Sequence, residues 1–187
     1  MKKSLQLSFL FLVSLSFSNL FANQISSSLS DENKIWMPEN LNVITFRNGD
    51  TITEIKDNKE WEQACNKGLP AWCYYNNEAT NEKKHGKLYN WFALNDSRGL
   101  APEGWRIAKA AEFSSVDPSQ LTNQLGGFRN CYGAFHNIDS QGYWWSAEDN
   151  DGSNSAWGFT LDKVAQKAKA TSDLKGCGMT VRCIKEN

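Results

Sequence analysis

Lys84-His85-Gly86-Lys87-Leu88-Tyr89-Asn90-Trp91-Phe92-Ala93-Leu94-Asn95-Asp96 is the most strongly patterned stretch of the chain. Within it Leu88, Trp91, Phe92 and Asn95 fall at i, i+3, i+4 and i+7, a spacing that predicts a short helix with an aromatic inner face. On its N-terminal side, Leu41, Val43, Thr45 and Phe46 lead into the turn Asn48-Gly49-Asp50 and on to Thr51-Ile52-Thr53, a hairpin signal. Asp57 and Glu60 read as a capping box for a helix that places Trp61, Ala64 and Cys65 on one face and stops at Gly68 and Pro70. Residues 71–75 form a strand candidate that turns at Asn76-Asn77. On the C-terminal side, residues 108–116 are amphipathic, and Asp117-Pro118 caps a segment carrying Leu121 and Leu125 before Gly126-Gly127. Beyond this the character changes. Residues 143–147, 156–161 and 179–184 are short aromatic and β-branched runs separated by polar turns, and they predict strands. Strand and helix pieces first and several strands with long connections later, with no repeat of 20–50 residues, predict the α+β class with short helices packed on a small antiparallel sheet and long loops.

Composition excludes other classes. The 187 residues carry 20 Lys and Arg against 21 Asp and Glu, with 40% hydrophobic and 12% aromatic residues. That is neither the basic footprint of a duplex-binding protein nor the composition of a disordered chain. Eight Trp stand beside only two His and four Pro. So many rings serve either a loop-rich core or a surface that displays them to a ligand.

Met1-Lys2-Lys3, an apolar run through Phe21 and the small residue Ala22 predict a secretory signal peptide over 1–22, cleaved to leave Asn23 first. Cleavage takes Lys2 and Lys3 with it and lowers the formal net charge from −1 to −3, so no general attraction to anionic lipid or nucleic acid is expected. No membrane span is expected in the mature chain. Residues 23–34 are Ser-rich and polar and read as a linker, which leaves 35–187 as the domain. All five cysteines, at 65, 73, 131, 177 and 183, lie in the mature part, where an oxidising compartment would let disulfides persist. Five is odd, so at least one thiol is unpaired within the chain.

The stretch at 84–96 resembles a known family when read with Arg98-Gly99-Leu100-Ala101-Pro102-Glu103-Gly104-Trp105-Arg106 and Val181-Arg182-Cys183-Ile184-Lys185. Pro70-Ala71-Trp72-Cys73-Tyr74-Tyr75-Asn76-Asn77 and Gly142-Tyr143-Trp144-Trp145-Ser146 add to the likeness. That family is the Fibrobacter succinogenes major paralogous (FISUMP) domain. The resemblance implies a secreted or cell-surface protein and a C-type lectin-like fold related to the formylglycine-generating enzyme. Two positions depart from the pattern. His85 replaces a usual Tyr, and Ala108-Lys109 replaces a Pro followed by Ser or Thr, which should weaken the helix start there by about 1 kcal/mol. By analogy with the terminal disulfide of C-type lectins, Cys183 should bond to Cys65 or Cys73. Cys73 is preferred because its surroundings match the family. Cys131 with Cys177 is then the second pair, and Cys65 the buried thiol.

The resemblance leaves the activity open. Cys177 and Cys183 resemble the paired thiols of the formylglycine-generating enzyme, but the Gly-Gly-Ser-Trp phrase before that pair and its copper-binding arrangement are missing. His85 and His136 have no evident orienting partner in sequence, so no catalytic constellation is complete and no enzyme is expected. Glu148-Asp149-Asn150-Asp151 offers oxygen ligands that could take Ca²⁺, but EF-hand spacing and the Glu-Pro-Asn and Trp-Asn-Asp phrases of calcium-dependent lectins are absent, and the run reads first as a solvated turn. No other cofactor is implied. Trp144 and Trp145 are consecutive in a predicted strand and must face opposite sides. If one ring is exposed, Trp144, bordered by Asn137, Asp149 and Asp151, would form a platform for a neutral polyhydroxylated ligand. Trp157, Phe159 and Leu161 alternate and read as core. The leading expectation is therefore a non-enzymatic binding module for an extracellular glycan or protein. The alternatives are a structural or assembly domain without a small ligand and, third, a formylglycine-generating-type oxidase.

Overall fold

Asp57 is extended, at φ −67° and ψ 137°, and its carboxylate accepts the Glu60 N–H, which starts helix α1 (Asn58–Lys67). Gly68 closes α1 in the left-handed conformation, φ 67°, so the predicted cap and stop both operate. The computed structural model describes residues 34–166 and 168–186, all but Lys34 in the compact unit Ile35–Asn187. The expected leader over 1–22 and all of the linker except Lys34 lie outside the described residues. Among the described residues no helix is long and apolar enough to cross a membrane.

The remaining α-helices among the described residues are single turns: α2 (Glu82–His85), α3 (Trp91–Leu94) and α4 (Ala110–Phe113). The helix expected from Leu88 is shorter than its periodicity suggests, because Leu88 and Tyr89 form a strand and Asn90 begins the turn. Asn90 Oδ1 accepts from both Ala93 N and Ala71 N, while its Nδ2 donates to Leu69 O, so one buried amide caps α3 and ties it to a neighbouring strand.

The strands are β1 (Thr53–Glu54), β2 (Ala71–Cys73), β3 (Leu88–Tyr89), β4 (Trp105–Ile107), β5 (Phe128–Arg129), β6 (Phe135–His136), β7 (Gln141–Asp149), β8 (Ser155–Asp162), β9 (Ala168–Leu174), β10 (Gly178–Met179) and β11 (Cys183–Lys185). They form three sheets, ordered β1-β2-β3-β10-β5-β6, β11-β4 and β7-β8-β9. All pairings but β1 with β2 are antiparallel, and the class is α+β as the sequence predicts. The predicted hairpin is present as a bridge between Thr45 and Thr51 around Gly49, whose φ of 90° suits the turn.

The two ends of the domain run alongside each other. Met37 N donates to Cys183 O, Leu41 N to Val181 O and Lys185 N to Ile35 O, all at 2.8–2.9 Å. Backbone hydrogen bonds thus join the ends where a disulfide was expected. Cys73, in β2, and Cys183, opposite Ile107 in the β11-β4 pair, lie in different sheets, and all five cysteines are free thiols. The expected Cys73–Cys183 bridge is therefore not formed.

Strand β7 is sandwiched between two apolar clusters. Trp144 packs with Phe113, Leu121, Leu125, Phe159 and Leu161, whereas Trp145 points into the larger cluster with Tyr89, Met179 and Val181. Both rings are 0% exposed. The alternation of the two rings is as expected, but the exposed Trp144 platform does not exist, because α4 and the segment preceding β5 cover its side of the sheet. Gly142 is part of this arrangement: a Cβ there would lie 2.0 Å from the Trp144 ring. Phe159 and Leu161 are core, but Trp157 is 38% exposed. Its position on β8 falls opposite the irregularity in β7 between Trp145 and Asp149, so no β7 residue is paired with it.

Candidate functional site

The period-2 alternation that buries Gly142 and Trp144 turns Gln141 and Tyr143 to the other face of β7. Their partners in register are Asp162 and Thr160 on β8, and Thr160 in turn pairs with Lys169 on β9. Cross-strand partners share a face. These side chains, with Thr171, line a groove of about 450 Å³.

A continuous row of hydrogen bonds fixes one wall of the groove. Asn137 Nδ2 donates to both Gln141 Oε1 and Tyr143 OH at 2.9 Å, Tyr143 OH donates to Gln141 Oε1 at 2.6 Å, and Gln141 Nε2 donates to Asp162 Oδ2 at 3.0 Å. Asp162 Oδ1 accepts the backbone N–H groups of Val164 and Ala165, and these bonds with that from Gln141 hold its carboxyl below the usual carboxylate range. Burial raises the Tyr143 phenol above its ordinary value, so it stays protonated and able to donate. Behind the wall, the Tyr143 ring lies 4.7 Å from Phe128, which stacks on His136 at 5.0 Å. The groove thus offers amide, phenol, hydroxyl, carboxylate and ammonium groups on a rigid three-stranded frame.

The predicted site residues do not come together. Asn137 lies in the turn before β7 and buttresses the groove wall through its hydrogen bonds to Gln141 and Tyr143. Asp149 ends β7, eight residues beyond Gln141 and roughly 25 Å away at strand rise. Its carboxylate pairs with Lys175 at 2.8 Å, and this partner lowers its pKa. Asp151 is an exposed turn residue at φ 47°. Glu148 Oε2 accepts from Ala110 N at 2.9 Å and from Ser146 Oγ at 3.0 Å, so it caps α4. Two of the acidic groups in the 148–151 run are therefore engaged with protein partners. Among the described residues no group of three His, Cys, Asp or Glu could hold a metal ion.

The loop 137–140 connects the groove to a smaller depression. Asn137 and Asp139 are both left-handed, at φ 67° and 60°. This turns Asp139 away from Asn137 towards Lys84, with which it forms an ion pair, and towards His85 Nε2 at 3.6 Å. Lys84, Asp139 and Lys163 share a depression of about 300 Å³. His85 is buried with Nδ1 unpartnered, and burial lowers its pKa.

The cysteines also regroup. Cys177 meets Cys131 with Sγ atoms 3.6 Å apart, a contact between two free thiols, so the expected Cys131–Cys177 disulfide is not formed either. Cys65, expected as the buried thiol, is only half-buried and lies where a side chain on residue 176 would meet its Sγ. Tyr143, Gln141, Thr160, Asp162 and Lys169 were missed as site residues. For the first four the signal lay in the sequence as the polar half of the alternation in 141–145 and 159–162, which the tryptophans outweighed; Lys169, on β9, carried none.

Architecture and groove together define an α+β domain that presents a polar cleft on an antiparallel sheet. Within it, residues 32–121 match the family model described as the Fibrobacter succinogenes major domain (Fib_succ_major), which supports the family resemblance of this stretch. No curated protein and no solved structure matches the chain. The matched stretch ends before β5, so the groove lies outside it.

Proposed function

We propose that the protein is a secreted or cell-surface, non-enzymatic binding module of C-type lectin-like fold that holds an extracellular glycan in the groove around Tyr143. The supporting observation is the Asn137–Tyr143–Gln141–Asp162 row facing Lys169 and Thr171. Its donors and acceptors are held in place by one another, and a sugar hydroxyl both donates and accepts. One carboxylate and one ammonium in the groove leave no strong net charge, which favours a neutral polyhydroxylated ligand over an anionic one. The adjoining ends of the domain fit a C-type lectin-like arrangement. Secretion follows from the leader pattern: N-terminal sequencing of protein recovered outside the cell should begin at Asn23, and a start at Met1 would overturn that part of the reading.

The groove is tested by calorimetric titration with a panel of neutral oligosaccharides. Tyr143→Phe removes the phenol while keeping the ring, and should weaken binding about tenfold, the effect of roughly one ligand hydrogen bond. Its thermal midpoint should stay near that of the parent. No binding by any member of the panel at millimolar concentration would sink the glycan reading and leave the structural or assembly role.

A further inference from the structure

Three sulfurs from distant parts of the chain meet at one place. Cys65 comes from α1, Cys131 from the β5–β6 turn and Cys177 from the turn before β10. Cys131 and Cys177 are 3.6 Å apart, sulfur to sulfur, and Cys65 packs against the cluster that holds both. The third sulfur fits because residue 176 is glycine: a Cβ there would fall 1.8 Å from Cys65 Sγ. Cys131 and Cys177 are 7% and 6% exposed, and Cys65 is the most accessible of the three. Cys73 and Cys183 are each buried among apolar side chains, as a lone structural cysteine usually is. The group of three is different, and it is not disposed as a metal site.

We infer that Cys65, Cys131 and Cys177 form a thiol–disulfide exchange site, with Cys65 as the entry thiol and Cys131–Cys177 as the final bond. This inference is independent of the glycan reading. The oxidant is a small-molecule disulfide such as glutathione disulfide. Cys65 thiolate attacks one of its sulfurs, forms a mixed disulfide and releases one glutathione thiolate. Cys131 then attacks Cys65 Sγ and displaces the second glutathione, giving Cys65–Cys131. Cys177 attacks Cys131, the Cys131–Cys177 bond forms, and Cys65 leaves as a thiolate that takes up a proton. Two protein thiols are oxidised and one disulfide is reduced to two thiols. A disulfide is about 2.05 Å long, so closing Cys131 on Cys177 requires about 1.5 Å of sulfur movement, within reach of side-chain rotation. Burial pushes Cys65 up to about 12, which makes its thiolate scarce at neutral pH. The first step should therefore accelerate about tenfold per pH unit between pH 7 and 9.

The test uses the reduced full chain, incubated with glutathione disulfide, alkylated at intervals, and mapped by non-reducing peptide mass spectrometry. The parent should lose two thiols and yield Cys131–Cys177. Cys177→Ser should stop at Cys65–Cys131. Cys65→Ser should reach the parent's final bond at least tenfold more slowly. A bond to Cys73 or Cys183, or five cysteines still alkylated after prolonged oxidation, overturns the site, and the parent mapping gives that result without any variant. Oxidation of Cys65→Ser at the parent rate, with its near-ultraviolet circular dichroism unchanged, overturns the entry role.

Discussion

At the scale of single residues, burial decides which groups are available to a ligand. The Trp144 indole donates to Asn40 Oδ1 at 2.9 Å, and its ring lies 6.1 Å from Phe113 and 6.5 Å from Phe159. Trp144→Ala would leave a large void and an unpaired Asn40 acceptor. It should lower unfolding stability in urea by about 3–5 kcal/mol, where an exposed platform would cost little. His85 gives a pH signature. Burial is the largest cause lowering its pKa below 6.5; Asp139 opposes the shift and Lys84 adds to it. The unfolded chain therefore gains a proton at His85 before the folded chain does, and stability should fall as pH drops through about 6.5 towards the folded value. Asp139, held low by Lys84, adds a further loss only below its ordinary 3.8. Thermal melting between pH 8 and 5 should show the first decline, and His85→Gln should flatten it.

At the scale of elements, local signals succeed where a short segment satisfies its own backbone and weaken where a distant group does so. Helix α1 carries its own cap and stop. Helix α4 lacks the expected N-cap hydroxyl, and the replacement comes partly from elsewhere: Glu112 accepts from Lys109 N at 2.8 Å, while Ser146 and Glu148 of β7 accept from Ala110 N. Glu148→Ala should accordingly cost about 1 kcal/mol, read as a lowered denaturation midpoint, with no change in divalent-cation affinity. Strand β9 was not foreseen, since Ala168-Lys169-Ala170-Thr171-Ser172-Asp173-Leu174 has no apolar alternation. It is an edge strand, half to fully exposed, and its place is set by a seven-residue register with β8.

At the scale of the whole molecule, the domain is closed by backbone pairing between 35–41 and 181–185, and oxidation would add a second constraint. A Cys131–Cys177 bond spans 46 residues, and the chain-entropy relation gives about 4 kcal/mol as the upper stabilisation. The oxidised protein should melt several degrees above the reduced one, and the difference should vanish in Cys131→Ser. Equal midpoints would mean that native strain offsets the loop term.

The sequence by itself determined the α+β class, the α1 boundaries, the hairpin turn at Gly49 and the opposite facing of Trp144 and Trp145, because each depends on residues close together in the chain. It also carried the phrases that resemble the family matched over 32–121. Only the tertiary structure decided that both rings are covered and that Asn137, in the turn before β7, and Asp149, at the far end of that strand, lie apart. It also decided that Cys65 joins Cys131 and Cys177 while Cys73 and Cys183 stay apart. These outcomes depend on which distant segments cover each face of β7 and on the register that brings turns together, and spacing along the chain encodes neither.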